Sequence, residues 1–406
     1  MKKIFLIIFS GILFSCAQEQ IPVVLPEGAI PVTYNDGWIF SLKWCDSIPG
    51  NFLFDTGYSA MQIDSLYLSS IQIDTVGKTT AFTLYGSGEG KQETKYMRGP
   101  INCSLDTLSN IMPYAIICQL KPLSGKILDG IAGWYYFKNC VVEFTVDGRY
   151  IRVISPDSLQ TQQGYQQFSL TYNKYFWYIT AKVAVTDSLE IDGKFMFDTG
   201  YGSSIYFTTA VAEQYNFSKA LSDTVAYYSS GTGFGGKSRG AFFRAKSVTI
   251  GDYEIHSPIL NYSRDTAGIL SGNYKDFMDK DYIGLLGMGL LDRFDMIIDF
   301  PRMHLYLRPT KDFNKKDEIG RSGFSYVDRT DIYDGFIVRR IEERQNAEKA
   351  GLCLNDTITH INKKAVKELP SEEVKNIMKK AKSVNLTVRR GSETFKIKLP
   401  LIDKKM

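Results

Sequence analysis

Short segments of alternating hydrophobic and polar residues, separated by turns rich in glycine, make up most of the chain. Residues 29–45, AIPVTYNDGWIFSLKWC, alternate in this way around an Asn-Asp-Gly turn, a pattern that predicts a β-hairpin. The other segments are similarly short and are rich in β-branched and aromatic residues, which favours strands over helices. The chain is therefore predicted to be mainly β.

The same order of segments occurs twice along the chain. The segment IPGNFLFDTGY at 48–58 recurs as IDGKFMFDTGY at 191–201, and a glycine-tipped hairpin follows each copy. Each half then carries a strand, a glycine and a short helix, in ILDGIAGWYYFKN and DYIGLLGMGLLDRF, before a closing pair of strands. Repetition of the whole set predicts two duplicated lobes, at residues 28–155 and 156–310, each of ordinary domain size.

A third segment follows a polar linker and has a different order of elements. Two strands, a short helix, a strand, a longer helix and closing strands are predicted after residue 318. This pattern predicts a separate α+β domain at residues 318–400.

The N-terminus has the pattern of an export signal rather than of a folded element. MKKIFLIIFSGILFSC has a basic start and an apolar stretch that is too short to span a bilayer as a helix. It resembles a bacterial lipoprotein signal, which implies removal of residues 1–15, a lipid on Cys16 and a linker at 16–27. The alternative is a plain secretory signal that is cleaved nearby. Either interpretation predicts a protein that leaves the cytoplasm, and the lipoprotein interpretation places it in the bacterial cell envelope, on a face that the sequence does not specify.

Composition and charge exclude several other classes of protein. The 406 residues are 44% hydrophobic and 23% charged, with a formal net charge of +4, which is ordinary for globular domains. No basic stripe interleaved with aromatic residues is present, so nucleic acid is not an expected partner. The three histidines form no HExxH motif and no G-x-S-x-G motif occurs, so neither a metal site nor a serine hydrolase is predicted. No cofactor is expected, and the five cysteines after Cys16 support no assigned disulfide.

The two Asp-Thr-Gly turns carry the most specific chemistry. Two carboxyl groups that face each other across a pseudo-twofold axis share one proton, because like charges in contact cannot both stay ionised. Such a pair hydrolyses an amide, since one carboxylate takes a proton from water while the protonated carboxyl polarises the carbonyl group. The glycine allows two backbones to approach closely, and the threonine hydroxyl provides a hydrogen bond across the junction.

Residues 28–310 resemble the aspartic peptidases of the pepsin and retropepsin type. The resemblance rests on two triplets and two later apolar-apolar-Gly elements, namely Asp55-Thr56-Gly57, Asp198-Thr199-Gly200, Ile131-Ala132-Gly133 and Leu285-Leu286-Gly287. It implies a bilobal pseudo-twofold fold of two β-barrel-like lobes, with Asp55 and Asp198 as the catalytic pair. It also implies a flap over the substrate, with Tyr85 and Gly86 near its tip. The chain departs from the family where tyrosines follow the triplets, which leaves substrate range and pH optimum open.

Residues 318–400 resemble a PDZ domain. The four residues Arg321, Ser322, Gly323 and Phe324 stand where that family has its carboxylate-binding loop. The resemblance implies that an extended peptide end binds as an added strand, with loop amides holding its carboxylate. A folded spacer that binds no ligand is the alternative.

These predictions combine into an exported, lipid-anchored aspartic endopeptidase that acts as a monomer on polypeptide substrates and carries a peptide-binding PDZ domain. One alternative is a peptide-binding envelope lipoprotein whose protease-like lobes do not cut. A second alternative is a carbohydrate-binding or adhesive β protein, which would need an aromatic platform away from the two aspartates.

Overall fold

The computed structural model describes residues 25–404 except 35–36, 46, 72, 74–76, 160–162, 231–232 and 273–276. The predicted signal segment 1–15, Cys16 and most of the predicted linker 16–27 lie outside the described residues. Within the described part of the chain, no helix has the length and apolar character needed to cross a membrane.

The first lobe consists of strands with two short α-helices. Its strands are β1 (Ala29–Pro31), β2 (Thr33–Tyr34), β3 (Trp38–Trp44), β4 (Ile48–Asp55), β5 (Met61–Asp64), β6 (Thr79–Leu84), β7 (Gln92–Leu105), β8 (Leu108–Cys118), β9 (Gly130–Gly133), β10 (Val141–Thr145) and β11 (Tyr150–Ile154). Its helices are α1 (Ser65–Ser70), α2 (Lys121–Ser124) and a 3₁₀ turn at Trp134–Phe137.

The second lobe repeats this composition. Its strands are β12 (Gln166–Ser169), β13 (Thr171–Tyr172), β14 (Trp177–Ala184), β15 (Glu190–Asp198), β16 (Ile205–Phe207), β17 (Thr224–Ser229), β18 (Ser238–Arg244), β19 (Ser247–Ile250), β20 (Tyr253–His256), β21 (Ile259–Ser263), β22 (Tyr282–Gly287), β23 (Phe294–Asp299) and β24 (His304–Pro309). Its helices are α3 (Thr209–Gln214), α4 (Phe217–Ala220), α5 (Met288–Leu291) and 3₁₀ turns at Pro156–Ser158 and Ile269–Ser271.

The C-terminal unit mixes strands and helices, as its sequence pattern predicts. Its strands are β25 (Phe324–Arg329), β26 (Gly335–Glu342), β27 (Thr357–Ile361), β28 (Lys364–Ala365), β29 (Ser383–Arg390) and β30 (Glu393–Pro400). Its helices are α6 (Asn346–Lys349), α7 (Ser371–Lys380) and a 3₁₀ turn at Val366–Glu368.

The strand order shows that the two lobes are built alike. In the first lobe the sheet runs β3-β4-β9-β5-β8-β7-β6, and in the second it runs β14-β15-β22-β16-β21-β18-β17. The corresponding pairs are parallel in both lobes, β4 with β9 and β15 with β22. A third sheet, β1-β11-β10-β23-β24-β12, takes strands from both lobes and joins them. Duplication of the sequence is therefore accompanied by duplication of the topology.

The core of the two lobes is continuous and strongly aromatic. Alternate residues of β4 point inward, and Phe52 and Phe54 are fully buried. The ring of Phe54 lies 4.6 Å from that of Phe144 and 5.0 Å from that of Phe137. Burial of each such ring contributes about 1.5–3 kcal/mol to folding. This packing fixes the end of β4, where the first Asp-Thr-Gly turn begins.

The C-terminal unit has its own hydrophobic core and continues the sheet of the second lobe. Its core gathers residues such as Val338, Val374 and Leu386. Strand β26 pairs with β17 of the second lobe in antiparallel register, Tyr228 opposite Ile341. Because it has a hydrophobic core of its own, the unit is a separate domain. Main-chain hydrogen bonds attach it to the lobes.

Candidate active site

Both aspartates of the repeated triplets lie at the ends of equivalent strands. Asp55 ends β4 opposite Gly133 of β9, and Asp198 ends β15 opposite Gly287 of β22. A Cβ atom added at Gly133 would lie 2.4 Å from the carbonyl oxygen of Ala60, and one at Gly287 would meet main chain at 2.3 Å. Only glycine fits at these two positions, so the apolar-apolar-Gly elements pack directly against the two turns.

The two threonines link the turns by reciprocal hydrogen bonds. The N–H of Thr56 donates to Oγ1 of Thr199 at 3.0 Å, and the N–H of Thr199 donates to Oγ1 of Thr56 at 3.0 Å. Each hydroxyl donates onward to a carbonyl of the opposite lobe, Phe197 at 2.7 Å and Phe54 at 3.0 Å. Both threonine side chains are fully buried. Four bonds between the lobes therefore hold the turns in one relative position.

The two carboxyl groups meet within this frame, each beside the glycine of the opposite triplet. Oδ1 of Asp55 accepts from the N–H of Gly57 at 2.8 Å, and Oδ1 of Asp198 accepts from the N–H of Gly200 at 3.0 Å. A Cβ atom at Gly57 would lie 2.5 Å from Cγ of Asp198, and one at Gly200 would lie 2.4 Å from Cγ of Asp55. Each glycine thus makes room for the carboxyl of the other lobe.

Burial and proximity change the acidity of the pair. Burial raises the pKa of Asp198 from an ordinary value of 3.8 to about 6. Burial, followed by the charge of Asp198, raises the pKa of Asp55 well above its ordinary value. The amide hydrogen bonds of the turns oppose these shifts but do not cancel them. The two groups titrate as one unit and hold a proton in a pH range where isolated carboxyls are ionised.

The hydroxyls of the tyrosines that follow the triplets have hydrogen-bond partners other than the two aspartates. The hydroxyl of Tyr201 accepts a hydrogen bond from Nδ2 of Asn261 at 3.1 Å, and its ring stacks on that of Tyr206. The hydroxyl of Tyr58 interacts with Gln62, and burial raises the pKa of Tyr58 above its ordinary value. The ring of Tyr58 lines a cavity beside the flap hairpin, whereas the ring of Tyr201 packs into an aromatic cluster of the second lobe.

The hairpin of β6 and β7 carries the predicted flap residues Tyr85 and Gly86 at its tip. This tip meets the tip of the equivalent hairpin of β17 and β18. The N–H of Gly90 donates to the carbonyl of Gly235 at 2.7 Å, and the N–H of Gly235 donates to the carbonyl of Ser87 at 2.9 Å. Close approach requires glycines, since a Cβ at Gly88 would lie 2.7 Å from the carbonyl carbon of Gly235.

Glu89 joins the flap tip to two residues of the second lobe and was missed by the sequence analysis. Its Oε1 accepts bonds from the N–H of Thr266 at 2.9 Å, the Oγ1 of Thr266 at 2.9 Å and the guanidinium of Arg239 at 3.0 Å. These bonds lower the pKa of Glu89 below its ordinary value, the amide of Thr266 first among them. The partners lie more than 140 residues away, so no local pattern could have identified this residue.

A cavity of about 570 Å³ lies between the first turn and the flap hairpin. Its lining is mostly aromatic and aliphatic, with contributions from both lobes: Tyr58, Ser59, Ala60, Phe82, Thr83, Leu84, Tyr85, Tyr96, Tyr114, Ile116, Tyr175, Phe176, Ile269 and Phe277. An apolar cleft of this kind accommodates large hydrophobic groups.

The described residues contain no group of three or more His, Cys, Asp or Glu side chains placed to hold a metal ion. The cysteines of the described region are all free thiols: Cys45, Cys103, Cys118, Cys140 and Cys353.

The C-terminal unit matches a known family. The residues from 312 to 389 match the family model of the PDZ domain. These residues form a PDZ domain. Strand β30 lies beyond the matched range but pairs with β29 over eight positions, so the domain extends to residue 400 in the structure. No curated protein matches the chain.

In the predicted carboxylate-binding loop of the PDZ domain, Arg321 makes its side-chain hydrogen bonds outside the loop. The guanidinium of Arg321 donates to the carbonyl oxygens of Lys379, Ala381 and Leu401, and so closes the C-terminal end of α7. Gly323 has a positive φ of 77°, which favours glycine, and Phe324 is buried in the domain core. Ser322 donates to the carbonyl of Phe324 at 3.0 Å. The loop is therefore shaped by Gly323 and anchored by Arg321.

Proposed function

We propose that the chain is an aspartic endopeptidase with a pepsin-like or retropepsin-like pair of lobes. The observation that carries the proposal is the close approach of the Asp55 and Asp198 carboxyl groups, which reciprocal threonine bonds hold together. The PDZ domain supports binding of a peptide or protein.

The proposed mechanism uses the shared proton of the pair. The ionised carboxylate removes a proton from a water molecule, which then attacks the carbonyl carbon of the peptide bond. The protonated carboxyl donates its hydrogen bond to the carbonyl oxygen and stabilises the developing charge. The proton taken from water passes to the leaving nitrogen, which restores the singly protonated pair. Thr56 and Thr199 act as positioning residues, since they hold the turns without touching the substrate.

The proposed substrate is an extended polypeptide with a large apolar side chain beside the cleaved bond. The cavity lined by Tyr58 and Ser59, which follow the first triplet, has the aromatic lining that such a side chain requires. Tyr85 and Gly86 would cover the substrate once the two hairpin tips have separated to admit it.

The proposal is tested with Asp55→Asn and Asp198→Asn, each assayed on fluorescein-labelled casein. Removal of an acid–base group is expected to lower the rate at least about 100-fold. Asp106→Asn serves as the matched control because Asp106 is an exposed turn residue at φ 50°, a conformation that asparagine also adopts. The double variant that combines Asp55→Asn with Asp198→Asn is assayed in the same way. Equal hydrolysis by this double variant and by the wild type would refute the peptidase proposal.

The competing function is peptide binding without cleavage by the two lobes. It would be favoured if the purified chain bound unfolded casein but released no fragments across the acidic and neutral pH range. The matched PDZ domain is compatible with either outcome, because it binds peptides in both.

We also propose that the protein is exported, is anchored to the bacterial envelope by a lipid on Cys16, and works as a monomer. The signal-like sequence before Cys16 supports the first two points. The monomer is supported by the origin of both aspartates in one chain, so the site is complete without a partner.

A further inference from the structure

The PDZ domain contacts both lobes, and one of these contacts lies on its peptide-binding strand. PDZ domains bind an extended peptide along the free edge of the strand that follows the carboxylate-binding loop. In this chain that strand is β25, which among the described residues pairs with β26 alone. Its opposite edge is therefore the expected binding surface.

A segment of the first lobe already occupies one end of this edge. The N–H of Lys126 donates to the carbonyl oxygen of Asp328 on β25 at 2.9 Å. The ammonium of Lys126 lies 3.1 Å from the carboxylate of Asp328 and 2.7 Å from Oγ1 of Thr330. A Cβ atom at Gly125 would lie 3.3 Å from the same carbonyl oxygen, so the backbone of the segment runs close against the strand. A main-chain donor thus bonds to β25 as a ligand strand would.

The geometry of a β-strand determines how many residues of the β25 edge remain available to a peptide ligand. Alternate residues of a strand face the same edge, so Phe324, Tyr326 and Asp328 present their main-chain groups in the same direction. The stretch from Phe324 to Val327 precedes the contact with Lys126. A ligand that starts at the loop therefore pairs over about four residues before it meets Gly125 and Lys126.

The occupying segment is connected to the candidate active site. Residues 121–126 lead into β9, which pairs with β4 where it ends at Asp55. Asp64 accepts bonds from the N–H groups of Leu120 and Lys121 at 2.9 and 3.1 Å and so fixes the segment to the first lobe. On the other side, Arg339 of β26 donates to the carbonyl of Pro122. The segment is a bridge between the lobe and the PDZ domain.

We propose that residues 121–126 and a peptide ligand compete for the distal end of β25. A chain end of about four residues binds while the lobe stays docked, whereas a longer ligand must displace Lys126. The ligand that fits best is an extended peptide with Lys or Arg at the fifth position from its free carboxylate, because Asp328 and Thr330 then keep a cationic partner. The inference concerns binding and does not depend on peptide hydrolysis.

The test uses three fluorescein-labelled peptide libraries with free C-termini. One has about four random residues, and the other two have about ten, with either Lys or Glu fixed at the fifth position from the end. Fluorescence anisotropy compares the full-length wild type with Lys126→Pro, which removes both the N–H and the ammonium. Gly125 has ψ −176°, outside the α region that a following proline disfavours.

Lys126→Pro is expected to tighten binding of the long Lys library about tenfold and to change the short library less than about twofold. Lys126→Ala, which keeps the N–H, is expected to give an intermediate gain of about threefold. Unchanged binding of the short library also shows that the variants fold. The proposal would be overturned if the variants changed binding of the long and short libraries equally, or changed neither. It would also be overturned if no library bound, or if the Lys and Glu libraries bound equally well.

Discussion

At the scale of residues, the carboxyl pair is a balance between burial and hydrogen bonding. Asp198 is only 9% exposed, and burial disfavours its charged form, while the amide of Gly200 favours it. The threonine bonds supply the rigidity that keeps the two like groups together. A pair of this kind costs stability whenever both members are ionised.

Because ionisation of the buried carboxyl pair destabilises the fold, Asp198→Asn should change the free energy of unfolding by an amount that depends on pH. The folded pKa of Asp198 is raised from 3.8 to about 6, so its favourable contribution is complete below the unfolded value and disappears as pH rises through about 6. Relative to the wild type, the variant should gain roughly 2–3 kcal/mol in free energy of unfolding between about pH 4 and about pH 7. Urea denaturation at both pH values measures this difference. A gain that is no larger at the higher pH would contradict it, and Asp106→Asn controls for loss of a surface carboxylate.

At the scale of elements, the two glycine-tipped hairpins meet at their tips, and the joined tips are called the arch here. Their tips are joined by main-chain bonds between the flap and Gly235, and by the carboxylate of Glu89. In the proposed peptidase, separation of the tips would admit the substrate, so the stability of this contact would control access to the carboxyl pair.

Glu89→Ala should loosen the arch without unfolding the lobes. Loss of a charged acceptor with several donors costs about 1–2 kcal/mol, so the amides of Gly90 and Gly235 should exchange with solvent roughly 5–30 times faster. Hydrogen exchange with mass spectrometry measures this. The lowered pKa of Glu89 means that its contribution persists above the ordinary value of 4.5 and is lost as pH falls through the lower folded value.

The exposed ion pair of Lys91 and Glu93 in the same hairpin provides the control for this experiment. Its side chains are 56% and 66% exposed, and Lys91→Ala should change exchange at the tip by less than about twofold. Equal effects of the two variants would show that Glu89 does not hold the arch.

At the scale of the whole molecule, the PDZ domain contacts both lobes and is not connected to them by the linker alone. Strand β26 pairs with β17, which belongs to one of the two arch hairpins, and β25 contacts residues 121–126 of the first lobe. The N–H of Ser230 donates to the carbonyl of Arg339 at 2.8 Å and extends this interface. The PDZ domain therefore contacts one element of each lobe, β17 in the second and residues 121–126 in the first.

The proposed lipid anchor predicts a modification of the whole chain. In a bacterial host fed radiolabelled palmitate, the wild type should carry label and partition into the detergent phase, whereas Cys16→Ala should lose most of both. Cys353→Ala is the matched control because Cys353 is an exposed thiol. Label that survives in Cys16→Ala, or its absence from the wild type, would leave a plain secretory signal as the better interpretation.

Local sequence determined much of this molecule. The alternating segments, the repeated triplets and the pattern after residue 318 depend on side-chain periodicity and on turn residues, which act over a few positions. They were sufficient to predict a mainly β chain with two duplicated lobes and a separate α+β domain, and the resemblance to a known family identified that domain as a PDZ domain. They also identified Asp55 and Asp198, because the repetition of the same turn placed both at equivalent strand ends.

Only the tertiary structure decided the contacts between distant segments. Glu89 meets Thr266, Lys126 meets Asp328, and Arg321 closes α7 instead of lying free in the loop. The first two pairs are more than 170 residues apart, and strand pairing and lobe packing bring them together. Such bonds need only a donor and an acceptor of common types, so they leave no pattern along the chain.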